Sequence, residues 1–432
     1  MKTSLYHILL VIALFIVFWY IVSAAADSST PYRDLSEAGV DFYGHGREQK
    51  EPEHLKAVCI GLMGPEKTLE GKQLQHGVAM AIEEANAKGG YHGIPYKIIF
   101  RPDDGPWGMA AKQVVRLTYD DKVWLILGGL DGHRTHLAEL ISAKAWIPIV
   151  TPCAYDLTID YANVPWVFRC MPDDNRQARV LLRYAIERGY RRLIVLTEGE
   201  RESYTAFLRL KEVANREHYP LARHLEYIPH NPTAILPRIQ NASMDAILVW
   251  GQSNTVLPLL CALREVGITV PILGPVALAT PEIAAKAKDL GEIIVAAPYD
   301  LSRNDTAILT FRQKYQKRTG TLPSPIALFA YDATRLVITA TERARLNRAR
   351  IRDELARMSF DGLTGTIHFD SLGGNLKEPV LMTLRAGRWV RLNPESQTTG
   401  KPENQKEQGI QDARLQSVNP RKPESRKAGK RK

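Results

Sequence analysis

The chain has 432 residues, 45% of them apolar and 24% charged, a length that exceeds one ordinary hydrophobic core and predicts two domains. Its net charge of +10 would suit a nucleic-acid partner, but ten basic and four acidic residues fall between Gln397 and Lys432, where no aromatic residue stands. Most of the excess charge therefore sits in a tail that cannot stack bases, which argues against nucleic-acid binding and predicts a disordered basic tail over 393–432.

At the other end, Lys2 precedes an apolar run over 8–22 that closes in Ser23-Ala24-Ala25-Ala26. The 15 residues of that run would span about 22 Å as a helix, short of a ~30 Å hydrocarbon core, and small residues at 24 and 26 suit a signal peptidase. A signal peptide over 1–26 and export to the periplasm are expected, with an uncleaved anchor as the alternative. The first cysteine is Cys59, so no lipid anchor is expected. Residues 27–55 read as a polar linker.

Globular patterning begins at 57. A strand over 57–62 ends at Gly64-Pro65; Leu74, Val78, Ala81, Ile82 and Ala85 then recur at helical spacing until Gly89-Gly90, and a second strand fills 94–101. This is a βαβ unit, which opens a parallel sheet. Helix over 110–118, strand over 123–128, helix over 135–145 and strand over 147–150 complete one alternating half. A second series follows, with strands over 193–196, 224–227, 246–250, 272–273 and 293–297 and helices over 176–187, 202–217, 234–240, 256–266 and 281–289. The stretch 306–358 is mainly helical, and strands over 366–369, 380–385 and 388–392 close the fold, the last two joined by a tight turn at Ala386-Gly387. In parallel sheets, ligands bind at the carboxyl ends of the strands.

Several segments in matching order resemble the leucine/isoleucine/valine-binding type of periplasmic solute-binding protein: Gly61-Leu62-Met63-Gly64-Pro65, the helix end Glu83-Glu84-Ala85-Asn86, Asp103-Asp104, Ile126-Leu127-Gly128-Gly129, Ile147-Pro148-Ile149-Val150-Thr151-Pro152, Phe329-Ala330-Tyr331-Asp332-Ala333 and Phe360-Asp361-Gly362-Leu363-Thr364-Gly365. The resemblance runs from Lys56 to Leu392 and implies an α/β fold of two doubly wound parallel-sheet lobes joined by a multi-strand hinge. It implies lobe 1 over 56–169 and 298–362 and lobe 2 over 170–297 and 363–392. It also implies capture of a small polar solute for the membrane permease of an ABC transporter, or for a sensor partner using the same fold, by a monomer or weak dimer without cofactor.

The family's pattern points to four loops. Asp131, Gly132, His133, Arg134 and Thr135 follow the third strand where relatives hold a ligand carboxylate on hydroxyls and helix N–H groups; Arg134 offers a bidentate contact instead, or is an exposed arginine beside a helix start. Cys153, Ala154 and Tyr155 match a second cleft loop. Tyr204 matches an aromatic that covers ligand, and Gln252 and Ser253 follow a strand ending in Trp250. Where relatives carry an acid after Gly-Pro, this chain has Gly274-Pro275-Val276. Either Asp300 or Glu198 replaces that counter-ion, or the ligand is an amide, a carboxylate or another small polar solute rather than a simple α-amino acid, the reading preferred here.

His133 and His136 read as a solvated or capping pair without a closing metal-ligand pattern, and no nucleophile elbow, phosphate loop or dinucleotide fingerprint is present. No catalytic residue and no metal are expected. Cys153 and Cys170 either bridge or stay buried as thiols.

Overall fold

Two sheets organise the chain in this computed structural model, which describes residues 46–392. The expected signal peptide, most of the 27–55 segment and the basic tail lie outside the described residues. The first sheet is parallel throughout, in the order β2-β1-β3-β4-β5. Its strands are β1 (Val58–Gly64), β2 (Tyr96–Pro102), β3 (Ile126–Gly128), β4 (Ile149–Thr151) and β5 (Val167–Arg169). The second runs β14-β13-β10-β9-β8-β6-β7. It uses β6 (Leu193–Glu198), β7 (Arg223–Tyr227), β8 (Ala246–Trp250), β9 (Ile272–Gly274), β10 (Ile293–Ala297), β13 (Val380–Arg385) and β14 (Arg388–Arg391). Its pairings are parallel except β10–β13 and β13–β14, which are antiparallel. A separate hairpin joins β11 (Ser359–Gly362) to β12 (Gly365–His368).

Every residue of β3, β4, β5, β6, β8, β9 and β10 is buried, as expected of strands covered on both faces. Helices supply those covers. The principal ones are α1 (Leu69–Ala87), α2 (Met109–Val115), α3 (Gly132–Ala145), α4 (Asp174–Glu187), α5 (Arg201–Arg216), α6 (Ser253–Glu265), α7 (Thr306–Thr319), α8 (Pro325–Ala344) and α9 (Arg348–Arg357). Thr68 Oγ1 accepts from the Gly71 N–H 3.1 Å away to start α1, and Ser324 with Pro325 starts α8. The two helices pack closely because Gly77 has no side chain: a Cβ there would sit 2.3 Å from the Ala327 carbonyl oxygen.

The mainly helical expectation over 306–358 resolves into α7, α8 and α9. Strand β5 has no counterpart among the strands expected from the sequence. All four cysteines are thiols, and Cys153 Sγ donates to the Ile326 carbonyl at 3.7 Å. Within the segment expected as a linker over 27–55, residues 46–51 make fixed contacts. Arg47 forks onto Asp353 (2.7 and 3.0 Å), Glu51 accepts from the Leu346 N–H at 3.3 Å, and the Gly46 carbonyl accepts from Asn347 Nδ2 at 2.6 Å. Polar side chains with fixed partners anchor a strap, which composition alone cannot distinguish from a solvated linker.

The chain passes between the sheets around Arg169. This residue is 1% exposed, and its Nε donates to Asp160 Oδ1 at 2.9 Å while Nη2 reaches Asp160 Oδ2 and lies 3.5 Å from Asp173 Oδ2. Its backbone N–H donates to the Gly373 carbonyl at 2.8 Å, and Asn375 returns two bonds, to the carbonyls of Arg169 (3.0 Å) and Cys170 (2.7 Å). At a further crossing, Asp332 of α8 accepts from the N–H groups of Leu363 (2.9 Å) and Thr364 (2.7 Å) and from the Thr364 hydroxyl (2.7 Å).

Candidate functional site

Loops at the carboxyl ends of both sheets enclose a cavity of about 220 Å³. The first sheet contributes Pro65 after β1, Asp104 after β2, Leu130, Asp131 and Arg134 after β3, and Cys153 and Tyr155 after β4, with Ser324 and Ile326 from the start of α8. The second contributes Glu202 after β6, Gln252 and Asn254 after β8, and Val276, Thr280 and Glu282 after β9. Parallel strands aim their carboxyl ends, and hence their following loops, at one edge, and two such edges face each other here.

Of the loop after β3, Asp131 and Arg134 reach the cavity. Asp131 caps α3, its Oδ1 accepting from the Arg134 N–H at 2.8 Å, and its Oδ2 pairs with the Arg134 guanidinium. The same guanidinium lies 3.5 Å from Asp103. Gly132, His133 and Thr135 do not line the cavity: His133 is exposed, and the Thr135 hydroxyl is spent on the Asp131 carbonyl at 2.7 Å. Cys153 and Tyr155 line it, whereas Ala154 is buried behind them with its N–H on the Thr151 hydroxyl at 3.2 Å. His136 faces Glu139 and Thr158, each at 2.7 Å.

On the second lobe Gln252 lines the cavity, and Ser253 begins α6. Tyr204, expected to cover ligand, is 50% exposed and outside the lining. Glu202 takes the inner position, because two residues turn a helix by about 200°. Glu202 faces the Gly132 N–H across the cleft, and Arg201 beside it donates to Asp156 of the first lobe at 2.8 Å. Asp300 and Glu198 do not line the cavity; Glu198 Oε1 accepts from the Gln252 N–H (2.9 Å) and the Tyr227 hydroxyl (3.1 Å).

The electrostatics are acidic. Burial, helped by Asp131, Asp156 and Asp174, pushes the Glu202 carboxyl well above the usual carboxylate range against the pull of the Gly132 N–H. Burial likewise raises Asp103 to about 7 despite Arg134. Burial and the carboxylates of Glu202, Glu198, Asp174 and Asp131 push the Tyr155 hydroxyl up, so it stays protonated and able to donate. Sequence reasoning missed Glu202, Glu70, Asp104 and Glu282 as lining residues. An acid in the first turn of a helix is read as macrodipole complement unless the helix is known to open onto a cleft.

A sequence profile described as periplasmic binding protein matches residues 57–384. An amino acid binding protein of Pseudomonas aeruginosa is 23% identical over 241 residues, which cover 54% of this chain and 64% of that protein's length. Among solved structures, the substrate-binding protein of a branched-chain amino acid transporter from Streptococcus pneumoniae, in complex with isoleucine, superposes with a TM-score of 0.69 at 23% identity, covering 78% of this chain and all of the other. A solute-binding protein of an ABC transporter from Rhodopseudomonas palustris, in complex with 3,4-dihydroxybenzoic acid, gives 0.71 at 17% identity over 78% of this chain and 97% of its own.

Proposed function

The chain belongs to the periplasmic binding protein family, and from that premise we propose that it is an extracytoplasmic solute-binding protein, capturing a small polar solute between two lobes and presenting it to the permease of an ABC transporter. One observation carries the reading: the cavity is walled by loops from both sheets, and Arg201 and Glu202 of the second reach Asp156 and Gly132 of the first across it. A site assembled from two lobes is completed by closure, so occupancy and closed shape are coupled. The lobes are taken as 56–169 with 298–362 and 170–297 with 363–392, the signal peptide as 1–26 and the working compartment as the periplasm.

The relatives' printed ligands, isoleucine and a benzoic acid, share small size and polar substituents, which supports a solute of that scale. Measuring melting temperature and radius of gyration of the mature protein against amino acids, amides, amines and carboxylates tests the proposal. A true ligand at ~100 times its Kd should stabilise the fold by about 2.7 kcal/mol and contract the particle. Stabilisation without contraction, or no response to any solute, would overturn capture by closure.

A further inference from the structure

Resting on that reading, we propose that the captured solute presents a positively charged nitrogen, of the ammonium, amidine or guanidine class, and that Glu202 is the residue that selects it. The cleft offers little to an anion. The seat at the start of α3, where the family resemblance places a ligand carboxylate, is filled from within: the Glu202 carboxyl faces the Gly132 N–H, and the Arg134 N–H donates to Asp131. Three further N–H groups at the rim are also spent. Ile326 donates to the Ser324 hydroxyl at 3.2 Å, Val276 to Gln177 Oε1 at 3.0 Å and Gln252 to Glu198 at 2.9 Å. Arg134, the one arginine or lysine in the lining, is held by Asp131 and faces Asp103.

Acceptors show the opposite condition. Glu202 Oε1 is buried without a hydrogen-bond partner, and both carboxylate oxygens of Asp103, a residue only 2% exposed, are in the same state behind Arg134. Glu70, Asp104, Asp131, Glu202 and Glu282 all line the cavity, so a carboxylate entering it would meet five acids, one already paired arginine and otherwise neutral groups such as the side-chain amides of Gln252 and Asn254. A buried acceptor without a partner costs about 1–3 kcal/mol, more when charged. A cationic nitrogen removes that cost, and it also restores charge balance to a group held between two lobes. Val276 then needs no acid beside it, because the counter-ion has moved from the loop after β9 to the first turn of α5.

Two panels test this on the mature full-length protein by thermal shift and calorimetry: butylamine, phenethylamine and agmatine as cations, and butyrate, glutarate and benzoate as anions. We expect stabilisation by at least one cation and by none of the anions. Glu202→Gln, first checked to melt as a folded protein, should weaken the best cation at least tenfold, and Glu202→Lys should reverse preference toward the anions. A nitrogen-free carboxylate that binds best, or a cation that binds Glu202→Gln unchanged, would overturn the assignment while leaving solute capture standing. No response to any cation would overturn it as well, and silence from the anions too would count against capture itself.

Discussion

The hinge around Arg169 and the cleft around Glu202 are both buried, charged and built from residues of two lobes, yet they are finished to different degrees. Around Arg169 each polar group has a mate: Asp160, Asp173 and the Met171 carbonyl for the guanidinium, Gly373 and Asn375 for the backbone. Around Glu202 acids outnumber bases and a buried carboxylate oxygen is left without a partner. Desolvated charge survives only when matched, so the first network fixes geometry by itself and the second is complete only with something bound. The contrast separates structural polarity from recognition without reference to any relative.

Removing one partner from the finished network should give the largest effect. Asp160→Ala takes the bidentate partner from the Arg169 guanidinium and leaves it Asp173 and the Met171 carbonyl in a space that excludes water, and should cost about 3–5 kcal/mol, read by urea unfolding with an unchanged m-value. A loss below about 1 kcal/mol, the range of an exposed pair, would show that water reaches the hinge and that the contrast with the cleft fails.

An intermediate effect is expected from Asp103, whose unpartnered carboxyl is raised to about 7 from 3.8. Below the lower value both folded and unfolded chains hold the proton, and Asp103 contributes no pH dependence. As pH rises toward 7 the unfolded chain loses its proton before the folded one, so the folded state is progressively penalised, and the penalty persists above 7. Asp103→Asn should therefore gain roughly 1–3 kcal/mol on wild type between pH 4 and pH 8. Urea melts at the two values check it, and a difference that stays flat with pH would mean that Arg134 keeps Asp103 ionised.

Most of the architecture was legible in the sequence because strands buried on both faces and helices with a 3.6-residue apolar period leave direct marks. The family's segments add their order. The cleft was legible only at its loops: Asp131, Arg134, Cys153, Tyr155 and Gln252 do line the cavity, since position after a parallel strand decides that much. Side-chain direction decides the rest. Tyr204 and Glu202 are two residues apart on one helix, and nothing in the residue types says which faces inward. The strap over 46–55 was illegible for a related reason, because Arg47 and Glu51 find partners some three hundred residues away, Asp353 and Leu346, that no local pattern announces.

The smallest effect should come from the rim of the cleft, where Arg201 bridges the lobes. Its side chain is 44% exposed while Asp156 is fully buried, and Asp156 keeps the Thr158 N–H (2.9 Å) and hydroxyl (2.6 Å) when Arg201 is gone. Arg201→Ala thus leaves Asp156 with two hydrogen bonds and removes a half-exposed partner, whereas Asp160→Ala removes a buried bidentate one. It removes a solvent-screened contact that exists only when the lobes are together, worth about 0.5–1 kcal/mol, so a ligand's Kd should rise roughly two- to fivefold. The change should sit in dissociation, because the contact forms after the solute has entered. Raising salt should weaken wild type toward the variant and leave the variant itself nearly constant, as screening predicts for an exposed pair. Stopped-flow release at low and high salt measures this, and a drop far above fivefold would mean that Asp156 depends on Arg201 as Arg169 depends on Asp160, making rim and hinge alike.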